Sequence, residues 1–378
     1  MRENARPGAA LLCGKSIARR AATKRNGEDK PMMGTDIAID LGTANFKLFV
    51  DGRGVVINEP NVVAVDTYSD RIVAIGREAL EMLGRTSERV RVVKPMRGGV
   101  ISDFSLMDAM LRHYLKQVCT SRVFMPRVVV TVPSGITEVE KRAVVDAVAA
   151  NGVRKICLLE GPAAAAIGAG VDITRPRGTM VVTLGAGVSD VGVISLNGLA
   201  ASRSLPVAGE SFNEAIIKYA RRKLDLVIGE RMAEAAKRAV GCAYPMKQLK
   251  TFTLKGRDAQ SGLPSKAEIT SDQLLEAVIE PATQVVRMIQ TALEETPPEL
   301  MADVAGEGIL LAGGSAYLSG FDQLLAKKDE DARACAGGAG KLCDPRCGQR
   351  SQDDRQGEVR PEEREPDDAA DRLLLIEI

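Results

Sequence analysis

Two short stretches of this 378-residue chain carry residues whose types and spacing suit the handling of phosphate. In AIDLGTANFK, an apolar run ends on Asp40 and enters a turn holding Gly42, Thr43, Ala44 and Asn45 before a second apolar run begins at Phe46. In VVTLGAGVSD the layout returns 143 positions later, with Thr183 where Asp40 stood and Gly185, Ala186, Gly187 and Val188 in the turn. Glycine lets backbone approach an anion closely, and the N–H groups of such a turn supply donors to it. Apolar runs flank each turn on both sides, which predicts strand, turn, strand; the phosphate turns of Walker A and dinucleotide folds lead from strand into helix. Two such hairpins can face each other across a cleft and grip one nucleotide from both sides.

The elements needed to hold the hairpins read as α/β throughout. DIAID and FKLFV flank the first turn, followed by VVINEPNVVAVD and RIVAIG. RVVVTVP is an apolar run suited to a buried strand. Leu106, Met107, Met110, Leu111, Tyr114, Leu115 and Val118 mark an amphipathic helix that contains the only histidine, His113, which is expected to be structural. Thr137 opens a helix through Ala150 that Asn151-Gly152 closes. The second half repeats the plan: TMVVTLGAG and SDVGVISL, helices near 210–224, 229–240 and 271–295, then GILLAGG and a helix to about Lys327.

Composition narrows the classes. A formal net charge of +1 gives no overall pull toward nucleic acid, and 3% aromatics without Trp leaves little for base stacking, so no nucleic-acid partner is expected. Seven scattered cysteines, an odd number with no secretory signal, point to reduced thiols in the cytoplasm. No run approaches the ~20 apolar residues that cross a bilayer. Residues 1–33 read as a flexible basic arm, and 328–378 as a disordered or degenerate tail, charged and poor in large apolar residues until LLLIEI.

In series, IAIDLGTAN, PMRGGVISDF, VVVTVPSGITEVEKRAV, LLEGPAAAAIGAG, GVISLNGLAASRSLPVAGESFNEAI, IGERMAEAAKRAVGCAYP and GILLAGGSAYLSGFDQLL resemble the actin superfamily, most closely its bacterial MreB/Mbl branch. The resemblance covers about 34–327. It implies an actin-like ATPase fold of two lobes, 34–176 and 177–327, each with a duplicated ribonuclease-H-like core and a nucleotide cleft between them. It also implies ATP or ADP with Mg²⁺ as cofactors and self-assembly into filaments on the inner face of the cytoplasmic membrane. There, alone or with paralogous subunits, such filaments guide the cell-wall synthesis machinery and determine cell shape. A sugar or acetate kinase of this architecture would need an insert for a phosphoacceptor, and a chaperone would need a substrate domain; neither is found in the sequence.

Carried over by position, the resemblance puts Asp40 near the metal through water, and Gly42, Thr43, Ala44 and Asn45 around the phosphates. Lys47 departs from the apolar residue usual in MreB, although actin has a phosphate-contacting lysine at the similar place; it faces phosphate or solvent. Glu140 is similar to the residue that orients the attacking water, yet Thr137-x-x-Glu140 is equally a capping box. Glu234, Ala235, Ala236 and Lys237 would serve the adenosine end, or Glu234 and Lys237 form an ordinary surface ion pair. Gly313, Gly314, Ser315 and Ala316 look like the adenosine loop. Val123 and Phe124 match a membrane-dipping pair, with Arg122 and Arg127 beside anionic headgroups; otherwise they pack at the strand entry.

The second turn departs from the family's Asp-Ile-Gly-Gly-Gly-Thr. Thr183 supplies no charge for a hard divalent cation, Val188 lacks a hydroxyl beside the water, and Ala186 adds a methyl where backbone must come close and cannot adopt positive φ as cheaply as glycine. Weak or absent hydrolysis with retained binding is the expectation. Beyond the adenosine loop ACAGGAGKLC faintly echoes the family's further helix, but the connection to it is shorter and lacks an apolar strand, which would leave the first lobe without a supporting piece.

Overall fold

In the computed structural model the described residues are 36–119, 126–153, 155–327 and 374–376. The chain opens with an antiparallel meander of β1 (Asp36–Leu41), β2 (Asn45–Val50) and β3 (Gly54–Pro60). In β2 the side chains of Phe46, Leu48 and Val50 are buried and those between are not, the period-2 alternation of a strand with one face on a core. VVINEPNVVAVD breaks at Asn61-Val62, so its second half becomes β4 (Val63–Asp66) of a separate small sheet. With it lie β5 (Ile72–Ile75), α1 (Arg77–Met82) and β6 (Val90–Val93), the strands ordered β5-β4-β6.

A short pair, β7 (Met96–Arg97) and β8 (Val100–Ile101), leads into α2 (Phe104–Val118). The Asp103 carboxylate caps α2 by accepting from the Leu106 amide, which satisfies one of the helix's open donors. His113 lies on the exposed side of α2 against Gln117. Then β9 (Arg127–Val132), α3 (Glu138–Ala149) and β10 (Lys155–Glu160) complete the first sheet in the order β10-β9-β1-β2-β3, with β9 parallel to both neighbours.

After α4 (Gly161–Gly168) the plan repeats. β11 (Thr179–Leu184), β12 (Ser189–Ser195) and β13 (Gly198–Leu205) form a second antiparallel meander. α5 (Gly209–Lys223), β14 (Leu226–Val227) and α6 (Glu230–Val240) follow. β15 (Thr251–Asp258) and β16 (Pro264–Thr270) form a hairpin that pairs with β14. The sequence reading passed over this hairpin, although alternation in TFTLKGRD and a Gly-containing turn announce it.

α7 (Ser271–Glu294), α8 (Pro298–Glu307) and β17 (Ile309–Ala312) come next, then a 3₁₀ turn at Gly314–Tyr317 and helical residues 321–327. The final element, β18 (Leu374–Ile376), pairs antiparallel with β17. So the apolar run at the end of the tail forms a strand; the rest of 328–378, the arm 1–33, and Arg122, Val123 and Phe124 lie outside the described residues.

The second sheet runs β13-β12-β11-β17-β18, the same arrangement as the first, which is the duplication the two turns suggest. The fifth strand differs, parallel in the first sheet and antiparallel in the second. One apolar core joins the first sheet to α2 and α3, and another joins the second sheet to α5, α6 and α7. Between the sheets, Ala163 and Ala166 of α4 meet Val129, Cys157 and Leu159 from one side and Val181, Ile194 and Leu310 from the other. Alanine suits this layer because a longer side chain would hold the sheets apart, and overpacking of that kind costs ~1–3 kcal/mol.

Candidate functional site

The hairpin turns meet. An added Cβ on Gly187 would lie 2.4 Å from Thr43 Oγ1 and 2.9 Å from the Gly98 nitrogen, so the second turn rests on the first without room for a methyl group. The buried Thr43 hydroxyl also accepts from the Gly99 amide at 3.1 Å. Behind the first turn Asn61, fully buried, donates from Nδ2 to Gly42 O at 2.8 Å and from its amide to Ala44 O at 2.8 Å. The loop that interrupts the apolar run after β3 is therefore what fixes the first turn. Sequence reasoning missed Asn61, for which an Asn just after Glu-Pro inside an apolar run was the available signal.

Glycine is needed in these turns for space, not for φ. Cβ atoms on Gly42 and Gly185 would meet the carbonyls of Asn45 at 2.7 Å and Val188 at 2.9 Å. Ala186 does not have positive φ, so the backbone strain expected on that ground is absent. Val188 packs on Gly99, where its Cγ1 would lie 2.8 Å from an added Cβ.

The β1–β2 register sets Asp40 opposite Lys47, and the β11–β12 register sets Thr183 opposite Asp190. Asp40 is exposed at the end of β1 and accepts from the Thr131 hydroxyl at 2.8 Å. The acid absent at 183 thus has a counterpart one strand over, inside the stretch that displays its loss. Asp190 is 3% exposed, and its Oδ1 accepts from the Ser134 amide at 3.1 Å. Its Oδ2 and Thr183 Oγ1 lie 3.6 and 3.7 Å from the point a Cβ on Gly161 would occupy.

Burial, reinforced by the nearby Glu160 charge, pushes the Asp190 carboxyl up to about 6 from its ordinary 3.8, against the pull of hydrogen bonds from Ser204 and Ser134. Between those values the native state keeps a proton that the unfolded chain has released, so stability falls as pH rises through the window and levels off above it. The loss is about 3 kcal/mol at ~1.4 kcal/mol per unit. Denaturant midpoints from pH 4 to 8 should show this decline for the natural chain relative to Asp190→Asn; parallel curves would refute the assignment.

Glu140 makes both capping-box contacts: its Oε2 accepts from the Thr137 amide at 2.8 Å and hydroxyl at 2.7 Å, while its own amide donates to Thr137 Oγ1. The same loop is tied to the second sheet through Asp190 and Ser134.

At the other end of the second turn, Ser315 Oγ donates to Gly185 O at 2.7 Å, and a Cβ on Gly313 would strike Leu184 O at 2.4 Å. Gly313 also has φ +95, which a side chain would strain. Ala316 is buried beside Ser315, and Gly314 is exposed. Lys237 Nζ sits 2.7 Å from Glu234 Oε2 and donates to Gly209 O at 2.8 Å; with its side chain 11% exposed, this is no surface ion pair. Burial draws the Lys237 ammonium below its ordinary range despite Glu234. Glu234 also accepts from Asn213 Nδ2 at 2.8 Å and Arg238 Nε at 3.1 Å, while Ala235 is exposed and Ala236 buried. Asn213 was not foreseen.

Arg127 is committed elsewhere than expected. Its guanidinium forks onto Asp36, Nε to Oδ1 at 2.7 Å, and joins β9 to β1. Among the described residues no three His, Cys, Asp or Glu side chains converge as a metal site, and no helix is long and apolar enough to cross a membrane. The single carboxylate of Asp40 suits Mg²⁺, which commonly keeps several waters and is held by one or two carboxylates plus substrate phosphates.

With this geometry in view, comparison with known proteins gives a consistent result. The family described as MreB/Mbl protein matches residues 34–333. Cell shape-determining protein MreB of Escherichia coli (strain K12) is 42% identical over 327 residues, 82% of this chain and 93% of that protein. Cell shape-determining protein Mbl of Bacillus subtilis (strain 168) is 41% identical over 298 residues, 79% of this chain and 90% of that protein. Among solved structures, MreB5 of Spiroplasma citri bound to AMPPNP is 32% identical with a TM-score of 0.76, covering 79% of this chain and 90% of that one.

Proposed function

This chain belongs to the MreB/Mbl family of actin-like, cell shape-determining proteins, and from that premise we propose that it binds ATP or ADP in the cleft between its two sheets and assembles into filaments. The observation that carries the proposal is the seating of Gly187 on Thr43, which brings the two glycine turns to one place. Support comes also from the relative MreB5 of Spiroplasma citri, whose structures hold AMPPNP and ADP. The filaments lie on the inner face of the cytoplasmic membrane and guide wall synthesis, with Val123 and Phe124 as the membrane contact. One loop buries little area, so attachment depends on many copies acting together.

In this reading the amides of residues 42–45 and 186–187 bind the phosphates, while the Gly185 amide closes its own turn on Val188 O, and Asp40 would hold Mg²⁺ through water. Bound Mg²⁺ would neutralise phosphate charge. Lys237, Glu234 and Asn213 form a partly buried polar wall for the ribose end, with residues 313–316 against the base. Glu140 has one oxygen engaged in capping and keeps the other for a water.

A second reading is favoured by Thr183: a scaffold that binds nucleotide, hydrolyses it poorly and co-assembles with an active paralogue. Electron microscopy of the purified chain with ATP, Mg²⁺ and anionic liposomes, alongside single-turnover phosphate release, tests both. Filaments on the vesicles with slow release support the scaffold, and filaments with release like an intact relative's support the first reading. Failure to bind ATP or ADP by calorimetry defeats both.

A further inference from the structure

Lys94 follows directly on β6 and belongs to the part of the chain built around the first sheet, yet its ammonium lies between two carboxylates from the other half of the molecule. Nζ is 2.7 Å from Glu210 Oε1 and closer still to Glu230 Oε1. These glutamates occupy the first turns of α5 and α6, where the helix N-termini favour negative charge. The Lys94 side chain is 24% exposed, so water screens the contact only in part. Burial works against the ammonium, but the hydrogen bonds it donates to Glu210 and Glu230, with their negative charge, outweigh it and raise its pKa above the ordinary lysine value.

The backbone makes this more than an isolated ion pair. The Glu210 amide donates to Ala186 O at 2.7 Å and the Gly209 amide to Gly185 O at 3.2 Å, so the start of α5 is fastened to the second glycine turn. Five residues beyond Lys94, the Gly99 amide donates to Thr43 Oγ1 in the first turn. A closed circuit results: first turn, segment 94–99, Lys94, Glu210, second turn, and back to the first through Gly187 and Thr43. Among the described residues, the Lys94–Glu210 contact is the one ion pair in it.

We propose that Lys94 is a positioning residue that holds the second phosphate turn against the first half of the molecule through Glu210, and so sets how long a nucleotide stays in the cleft. The part concerning dwell time rests on the nucleotide-binding reading; the tie itself does not. Without the ammonium, Glu210 and Glu230 face each other as like charges, and the circuit opens where Lys94 stood. A charge-assisted contact of this kind is worth roughly one to two decades in an equilibrium.

The full-length chain, loaded with a fluorescent ADP analogue and Mg²⁺ and chased with unlabelled ADP, reports the dissociation rate. Lys94→Met should release about tenfold faster and Lys94→Glu faster again, whereas the double variant Lys94→Glu with Glu210→Lys should recover most of the loss. A residue that merely supports the fold would not be rescued by exchanging charges. Hydrogen exchange on the nucleotide-free chain reads the tie independently: Lys94→Met should deprotect the amides of 209–210 and 99 and leave α2 unchanged. If the natural chain binds the analogue and neither release nor exchange responds to Lys94→Met, the proposal is overturned. If exchange responds but the natural chain binds no nucleotide, the tie stands and the dwell-time role falls with the nucleotide-binding reading.

Discussion

A Gly187→Ala variant should lose on the order of 2–3 kcal/mol of stability and bind nucleotide at least roughly a hundredfold more weakly. The new Cβ would lie 2.4 Å from Thr43 Oγ1, 2.8 Å from Thr43 Cγ2 and 2.9 Å from the Gly98 nitrogen. Thr43 cannot rotate away without giving up the bond its hydroxyl accepts from Gly99, and the nitrogen is backbone. The remaining escape is to spread the two turns, which moves both sets of amides off any shared ligand. Gly168→Ala is the control: nothing lies within 4 Å of its added Cβ, and its effect should stay within ~1 kcal/mol. Chemical denaturation and calorimetry with ADP on both variants decide the matter. If Gly187→Ala matched Gly168→Ala, the turns would not be in working contact.

Thr183→Asp should raise Mg²⁺-dependent phosphate release by about tenfold or more, at a cost visible before any nucleotide is added. The new carboxylate would share the space before Gly161 with Asp190 Oδ2. Asp190 is already pushed up to about 6 by burial, so a second negative group there raises the carboxyl pKa values further and destabilises the folded chain at neutral pH. A divalent cation would relieve that repulsion. The variant should therefore melt below the natural chain in chelator and regain stability with Mg²⁺, a dependence the natural chain should show far less. Turnover unchanged and melting indifferent to Mg²⁺ would remove position 183 as the cause of weak hydrolysis.

The hairpins were legible because their signal is local: a glycine turn with apolar runs on both sides fixes strand, turn and strand within ten residues, and its recurrence exposes the duplicated sheet. Asp190 sat in that same stretch and was passed over, although a four-residue turn with period-2 pairing sets positions 183 and 190 side by side. The positive φ expected at Ala186 is not found for a related reason, since composition suggested it where the turn uses glycine for close approach. Lys94 and Glu210 are 116 positions apart, and nothing local in either segment marks the other as its partner. Arg127 shows the same limit at short range: a basic residue beside a proposed membrane loop suggests headgroups, whereas Asp36 on the adjoining parallel strand engages it.

The alanine helix α4 has a mechanical consequence. Both sheets rest on its small side chains in a dry layer, while the Lys94 contact holds them at a separate, half-wetted place. Rotation of one half against the other would keep the greasy layer as a fulcrum and part the ionic contact first. Salt weakens exposed charge attraction and leaves apolar burial intact or strengthened, so ionic strength should act on this molecule as a loosened clasp on an unworn hinge.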